Sequence, residues 1–379
     1  MKKIALFFPS FEVGGVEKVM IVLANRLKSL QYEIVVIAKD RGVLRKLLYA
    51  NVEVVDLGNR RIRSSLFFLK RILQEYEVDC LISGPDFPNF ISIIANIFSR
   101  KKVKLIITQH CYFNIETKRL GIHGRIFPFL VKLLYHKADV VVAVSDGIKN
   151  SDTTVKKKNK DVVVAVSDGI KNMLKQLGVP AEKIIRIYNP IDFSLISKMA
   201  CDNIDMDETF DKYIVYVGRL SHVKNVLLLI RAYALFREQN TTYKLLIIGD
   251  GEDSDNLKHE VKRKGLSENV LFTGSMINPY PYIKKASLLV LPSLSESFGN
   301  IVVEAMFLNV TVVSTQTAGV NEINGNTDSI YMVSSFQDEG VLSDIMLYAI
   351  NHPKNPELLQ MRANYFDANF IINEYISLL

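Results

Sequence analysis

The sequence predicts an α/β protein of two tandem doubly wound domains, and three observations predict it. Short runs rich in Val, Ile and Leu alternate with stretches of helical period along nearly the whole chain. Near-continuous apolar strands between helices are the pattern of a parallel sheet covered on both faces. The alternation stops once, at the polar, acidic stretch ACDNIDMDETFDK, and then restarts. At 379 residues the chain also exceeds one ordinary domain, and a hydrophobic content of 49% leaves enough apolar surface for two cores. The domains are expected at 1–192 and 193–361.

In order, KKIALFF is a strand, and GGVEKVMIVLANRLKSL a helix with Val16, Met20, Leu23 and Leu27 on one face. YEIVVIAK, VEVVDL, VDCLISG, KLIITQH and DVVVAVS are further strands, and KIIRIYNPIDF closes this half. Between them, NRRIRSSLFFLKRIL sets Ile62, Leu66, Leu69 and Leu73 at helical spacing beside Arg60, Arg61, Arg63, Lys70 and Arg71, a basic amphipathic helix. After the acidic stretch come YIVYVGR, a helix from Asn225 to about Gln239, KLLIIGD, a helix from about Ser254, NVLFTG, SLLVLPS, a helix from about Asn300, and VTVVST. Doubly wound sheets bind ligands beyond the carboxyl ends of their strands, so the active site is expected in the cleft between the domains.

One strand occurs twice. DVVVAVSDGIKN starts at Asp139 and again at Asp161. The second copy runs into MLKQLGVPAEK, a helix with Gly178 and Pro180 as stop signals, whereas the first meets the polar SDTTVKKKNK. Those signals favour the second copy for the sheet. They make the first an added edge strand or exposed segment, the product of a tandem duplication; Ser145 or Ser167 is then expected near the cleft.

The net charge of +7 hides an asymmetry. Residues 1–192 carry 32 Lys and Arg against 18 Asp and Glu; residues 193–379 carry 15 against 22. The first domain is therefore drawn to an anionic surface. Nucleic acid is disfavoured as that surface, because the basic clusters lack interleaved aromatics and a recognised binding fold. An anionic membrane fits. MKKIALFFPS reads as a first buried strand, since its apolar run is short and no small-residue cleavage site follows. No apolar stretch approaches the roughly 18 residues needed to cross a bilayer. Cys80, Cys111 and Cys201 have no metal or redox spacing, which suits a reducing cytosol. The expected location is cytoplasmic, peripheral on the inner face of the cell membrane.

The residues able to do chemistry sit at strand ends. YVGRLSHVKN places Gly218 and Arg219 past a strand and Lys224 at the start of a helix, two cations suited to a diphosphate. IIGDGED supplies Gly249 and Gly251 but lacks the third glycine of a dinucleotide fingerprint. LPSLSESFGNIVVEAM puts Glu296, Phe298, Gly299 and Asn300 in a strand-to-helix loop and Glu304 on the helix. Backbone amides there can hold a phosphate or hydroxyl, and the two carboxylates can accept from two sets of sugar hydroxyls. In the first half, Gly14 and Gly15 open a helix after the first strand, and His110 ends LIITQH. Each feature alone has an ordinary structural reading: surface cations, a tight turn, a solvated glutamate, a core histidine. Asp253-Ser-Asp255 and Asp205-Met-Asp207 are Asp-x-Asp matches in the wrong context for a metal site, at a helix start and in the linker.

GGVEK, GRLSHVKN, GDGE, FTGSM and SESFGNIVVEAM, in this order and spacing, resemble the retaining nucleotide-sugar glycosyltransferases of family 4 (group 1). The resemblance covers nearly the whole chain and is most specific over 214–323. It implies the GT-B architecture of two facing Rossmann-like domains, with a last helix, about 362–379, packing back on the first. It implies a transferase moving a hexose or N-acetylhexosamine from a UDP-sugar to a lipid-linked or glycan acceptor, with no metal and no cofactor. Arg219 and Lys224 would bind the diphosphate, Glu296 the sugar hydroxyls and Glu304 the ribose. His110 would contact the donor sugar near the reacting carbon. Gly14, Gly15, Gly218, Gly251, Met276, Phe298, Gly299 and Asn300 complete the binding set. Three positions depart from the family: Asn225 and Asn309 where it usually has glycine, and Thr311 where it has proline, which bears on helix-to-strand packing. Two other readings stand beside this one, a GT-B enzyme that epimerises or hydrolyses UDP-sugars and a non-enzymatic basic binding module.

Overall fold

A computed structural model describes residues 2–110, 127–143, 173–204 and 211–379. The chain divides into two compact units. The first is Met1–Pro190 with Ala368–Leu379, and the second is Ile191–Asp367.

The first unit holds seven strands, β1 (Lys3–Ser10), β2 (Glu33–Lys39), β3 (Glu53–Asp56), β4 (Cys80–Ser83), β5 (Lys104–Gln109), β6 (Val140–Ala143) and β7 (Ile184–Arg186). They form one sheet in the order β3-β2-β1-β4-β5-β6-β7, parallel throughout. Strand order reverses between β1 and β4, so the crevice for a ligand opens at their carboxyl ends. The helix Gly15–Ser29 returns from β1 with Val19, Met20, Leu23 and Leu27 buried. The last helix, Ala368–Ser377, packs on it and adds Ile371, Ile372 and Tyr375 to the same core. This return begins at Ala368. The preceding helix, Pro356–Ala363, stays in the second unit, where it packs on the helix Asn300–Phe307 and Arg362 donates to the carbonyls of Glu322 and Ile323.

Two expectations are corrected here. The basic segment is not one helix: Ile62–Ser64 is a 3-10 turn and the helix spans Leu66–Glu75, burying Leu69, Ile72 and Leu73. Arg60, Arg61 and Arg63 therefore precede it and only Lys70 and Arg71 ride on it. The repeat is corrected as well. β6 is the first copy, not the second, paired with β5 and β7. The helix Phe127–Leu134 and a 3-10 turn Tyr135–Lys137 deliver the chain straight into it. Asp139 fixes the register, its Oδ2 accepting from the Leu105 amide at 2.7 Å. The downstream flanks do not distinguish twelve identical residues; the short connection before them decides. The second copy, SDTTVKKKNK, Ser145 and Ser167 lie outside the described residues.

The second unit holds β8 (Tyr213–Val217), β9 (Lys244–Ile248), β10 (Val270–Gly274), β11 (Leu288–Leu291), β12 (Val312–Thr315) and β13 (Tyr331–Val333). Their order is β10-β9-β8-β11-β12-β13, again all parallel, with the reversal between β8 and β11. This unit begins and ends at neighbouring residues. The Ile191 amide donates to the Phe366 carbonyl at 2.9 Å, and Ile191 forms an isolated parallel bridge with Asp367. Phe193 then stacks on Phe307 at 4.1 Å between ring centroids, a contact worth roughly 0.5–1.5 kcal/mol beyond the area it buries. Among the described residues no helix is long and apolar enough to cross a membrane; FPNFISIIANIF forms the helix Phe87–Ile97, largely buried.

Candidate active site

At the β8/β11 reversal the two strand-to-helix loops touch. β8 runs through Gly218 and Arg219 into a 3-10 turn, His222–Lys224, and then the helix Val226–Gln239. β11 runs through Ser293 and Glu296 to Gly299, whose φ of +101° starts the helix Asn300–Phe307. The Leu294 amide donates to the Val223 carbonyl at 2.8 Å and ties the loops together. Across this tie Lys224 Nζ lies 2.5 Å from Glu296 Oε1. Ser293 Oγ donates to the same oxygen at 2.7 Å, and the Glu296 carbonyl accepts from the Gly319 amide at 3.1 Å. Glu296 is 8% exposed, so its carboxylate is oriented by neighbours rather than by water. Thr315 Oγ1 donates to the Ser293 carbonyl at 2.5 Å and carries the support back to β12. Ser293 and Thr315 were not anticipated from sequence; the only signal was a hydroxyl three residues before Glu296.

The ends of β8 and β9 close on each other through glycine. A Cβ on Gly249, at φ +147°, would meet the Gly218 carbonyl oxygen at 1.8 Å, and one on Gly251 would meet the Leu220 oxygen at 2.2 Å. The Leu220 amide donates to the Asp250 carbonyl at 2.9 Å across this gap. Arg219 is exposed and pairs with no carboxylate among the described residues, while its carbonyl accepts from the buried Tyr216 hydroxyl at 2.9 Å. The backbone is thus held and the guanidinium left to solvent. Glu304 is 4% exposed, not the solvated helix residue its position would suggest. Phe298 is buried edge-on to Phe366 at 5.2 Å. Met276 follows β10, two strands away from β8, and is half-buried.

The three departures from the family pattern have local explanations. Asn225 sits at φ +52° and Asn309 at φ +61°, the left-handed region in which asparagine is the best tolerated residue after glycine. Asn225 Nδ2 also donates to the Phe336 carbonyl at 3.0 Å. Asn309 closes the helix Asn300–Phe307 with its amide on the Met306 carbonyl and the next amide, of Val310, on Ala305, the two bonds of a Schellman cap. Thr311 Oγ1 accepts from the Lys354 amide at 3.0 Å, a bond proline has no side chain to make.

In the first unit, Gly14 is the extended residue that precedes the helix starting at Gly15, at the carboxyl end of β1. His110 follows β5 and is buried. Burial pushes its pKa down to about 3, so the imidazole is neutral. Its Nε2 lies 3.0 Å from Thr108 Oγ1. The strand end that carries it is bonded on all sides. Asn89 Nδ2 donates to the Thr108 carbonyl at 2.9 Å, Tyr135 Oη to Gln109 Oε1 at 2.8 Å, and Gln109 Nε2 to Asp86 Oδ1 at 3.0 Å. Nothing in the sequence marks Asn89 or Tyr135, because contacts between residues so far apart along the chain leave no periodic trace. Among the described residues no three His, Cys, Asp or Glu side chains group as a metal site. Asp253 precedes the helix Ser254–Arg263; Cys111 and the Asp205–Asp207 pair fall outside the described residues.

Two parallel sheets, each with its strand reversal, define a doubly wound protein, and at one reversal a cation–carboxylate pair lies beside a helix start. Comparison with known proteins gives the class its name. Residues 206–365 match the family model of glycosyl transferases group 1, and residues 13–154 that of glycosyltransferase family 4. A Campylobacter jejuni N-acetylgalactosamine-N,N'-diacetylbacillosaminyl-diphospho-undecaprenol 4-alpha-N-acetylgalactosaminyltransferase is 28% identical over 338 residues, 86% of this chain and 85% of that one. A second C. jejuni alpha-1,4-N-acetyl-D-galactosaminyltransferase, named for a PP-undecaprenol-linked glycan, is 25% identical over 100% of this chain and 98% of its own. In fold, an Anabaena protein crystallised with UDP and glucose superposes with a TM-score of 0.77 at 21% identity, covering 100% of this chain and 99% of the other. The chain belongs to the group 1 glycosyltransferases and is a glycosyltransferase of two Rossmann-like domains, the GT-B fold.

Proposed function

We propose that this transferase moves a hexose or N-acetylhexosamine from a UDP-sugar to a lipid-linked or glycan acceptor, with retention of configuration and without a metal ion. The observation that carries the reading is the Lys224–Glu296 contact at the β8/β11 reversal. It sets a cation for a diphosphate directly beside a carboxylate for sugar hydroxyls. On this reading Arg219 and Lys224 take up the charge that develops on the leaving nucleotide, which is the work a metal does elsewhere. Glu296 grips the sugar, Glu304 accepts from the ribose, and the amides from Phe298 to Asn300 assist. Gly14, Gly15 and His110 serve the donor from the first unit. The acceptor hydroxyl attacks on the face the nucleotide leaves. A lipid-linked acceptor is supported by the undecaprenol-linked names of both C. jejuni relatives.

The first unit is also proposed to meet the inner face of an anionic membrane as a peripheral protein. Phe67 is 81% exposed on the helix Leu66–Glu75, amid Arg60, Arg61, Arg63, Lys70 and Arg71. An exposed apolar side chain within a strongly basic segment suits a headgroup boundary.

The test is a panel of nucleotide sugars with UDP release as the readout, run with and without lipid-linked acceptors. Acceptor-dependent UDP release with an α-linked product from an α-linked donor is expected. Release unchanged by any acceptor, or an epimerised free sugar nucleotide, would refute transfer.

A further inference from the structure

The end of β5 does more than hold His110 in place. Thr108 Oγ1 has two partners, the Ser83 carbonyl oxygen at 2.8 Å and His110 Nε2 at 3.0 Å. A threonine hydroxyl owns one proton, and a carbonyl oxygen can only accept. The proton therefore goes to Ser83. The opposite arrangement would leave two oxygens facing lone pair to lone pair at 2.8 Å in a fully buried site, since Ser83 and Thr108 are both 0% exposed. His110 must then give its own proton to Thr108, and the imidazole is protonated at Nε2. Its other nitrogen, Nδ1, makes no hydrogen bond among the described residues and carries a lone pair.

The site is shaped for this relay. Gly84 follows Ser83, and a Cβ there would lie 2.0 Å from Thr108 Oγ1, so only glycine lets the hydroxyl sit between the two strands. Asn89 clamps both ends of the relay: its Oδ1 accepts from Ser83 Oγ at 2.9 Å while its Nδ2 holds the Thr108 carbonyl. Burial keeps the ring neutral, so the tautomer survives through the working pH range.

We propose that Thr108 is a positioning residue that locks His110 in the Nε2–H tautomer, making His110 a hydrogen-bond acceptor at Nδ1 for a hydroxyl of the donor sugar. A hydroxyl can donate to that lone pair; a phosphate oxygen or an acetamido carbonyl cannot. The His110 contact thereby selects a proton-donating group of the sugar, a hydroxyl foremost, and disfavours the diphosphate oxygens at that spot. The inference rests on the proposed role of His110 at the donor sugar, and the experiment separates the two.

Nitrogen-15 spectra of the intact chain, with His110 assigned by loss of its signals in His110→Ala among the six histidines, read the tautomer directly. The wild type is expected to show the Nε2–H form, Thr108→Ser to keep it, and Thr108→Val to show a mixed or Nδ1–H ring. UDP release in the same variants should fall about tenfold or more for Thr108→Val, through kcat/KM, and stay near wild type for Thr108→Ser. An Nδ1–H ring in the wild type, or an unchanged tautomer in folded Thr108→Val, overturns the lock. A shifted tautomer in Thr108→Val with full activity, while His110→Ala loses activity, overturns the acceptor role. If His110→Ala itself retains full activity, the reading of His110 at the donor fails while the tautomer assignment stands on its spectrum.

Discussion

Oε1 of Glu296 accepts from two donors at once, Lys224 Nζ at 2.5 Å and Ser293 Oγ at 2.7 Å. Lys224 and Glu296, the proposed diphosphate cation and sugar carboxylate, are therefore one coupled unit. Removing either partner strips a largely buried charge of its counter-charge. Lys224→Ala and Glu296→Gln are each expected to lower the rate of UDP release by about 100- to 1000-fold. The double variant should be far less impaired than the product of the two losses, because residues that share one interaction are not additive. A double-mutant cycle on kcat/KM checks this; losses that multiply would separate the two roles.

Arg219 is the opposite case. Its side chain is exposed and its backbone is held by Tyr216 rather than by the guanidinium. Arg219→Ala should abolish UDP release yet shift stability by no more than about 0.5 kcal/mol. A normal turnover rate, or a collapsed melting temperature, would contradict the assignment.

The left-handed caps predict a stability series. Asn309→Gly should be neutral or stabilising, whereas Asn309→Ala should be less stable than Asn309→Gly by about 1 kcal/mol, since a Cβ is disfavoured at positive φ. Urea midpoints of the two variants at constant slope give the difference, and equal midpoints would show that the cap carries no strain.

Glu260 gives the acid response. Hydrogen bonds from Arg263, and then from Arg231, hold its pKa down to about 2 from an ordinary 4.5. The unfolded chain takes up that proton at higher pH than the folded one, so the stabilisation is complete above 4.5 and is lost as pH falls toward 2. The stability gap between the wild type and Glu260→Gln should close across this window and stay constant above it. Melting temperatures taken from pH 7 downward, at about 0.1 M salt, test it.

The repeat predicts a tolerated deletion. Removing 139–160 or removing 151–172 produces the same sequence, because each leaves one copy of DVVVAVSDGIKN between Ala138 and Met173. The product keeps the short connection into β6 and joins that strand directly to the helical residues from Met173. A folded chain by circular dichroism with UDP release retained is expected; an insoluble product would show that the 22 residues are structural.

Much of this fold was readable in advance. Strands from KKIALFF to VTVVST stand out because burial on both faces leaves only apolar residues, and the longer helices because one face is apolar. β13, three residues long, and the helices Tyr280–Lys285 and Ala318–Asn324 are too short to show a period, and the longer helix Glu339–Asn351 also goes unread. Arg219, Lys224, Glu296 and Glu304 were legible only as an ordered set. Ser293 and Thr315, which support Glu296, and Thr108, which touches His110, are not legible at all, since a hydroxyl becomes informative only when its partner is known. The repeat misled because the helix signals after the second copy say nothing about which copy enters the sheet.

The first unit is built from two separate stretches of the chain, and the second unit is encoded between them, from Ile191 to Asp367. Tyr375 and Ile372 fill the core beneath the helix Gly15–Ser29, yet they are synthesised after the whole of the second unit. A nascent chain can finish the continuous second unit while the earlier-made first unit still lacks its closing helix. Domains otherwise tend to fold in the order in which they leave the ribosome. Here the basic, earlier half is completed last, and a stop just short of Ala368 would wound the domain made first.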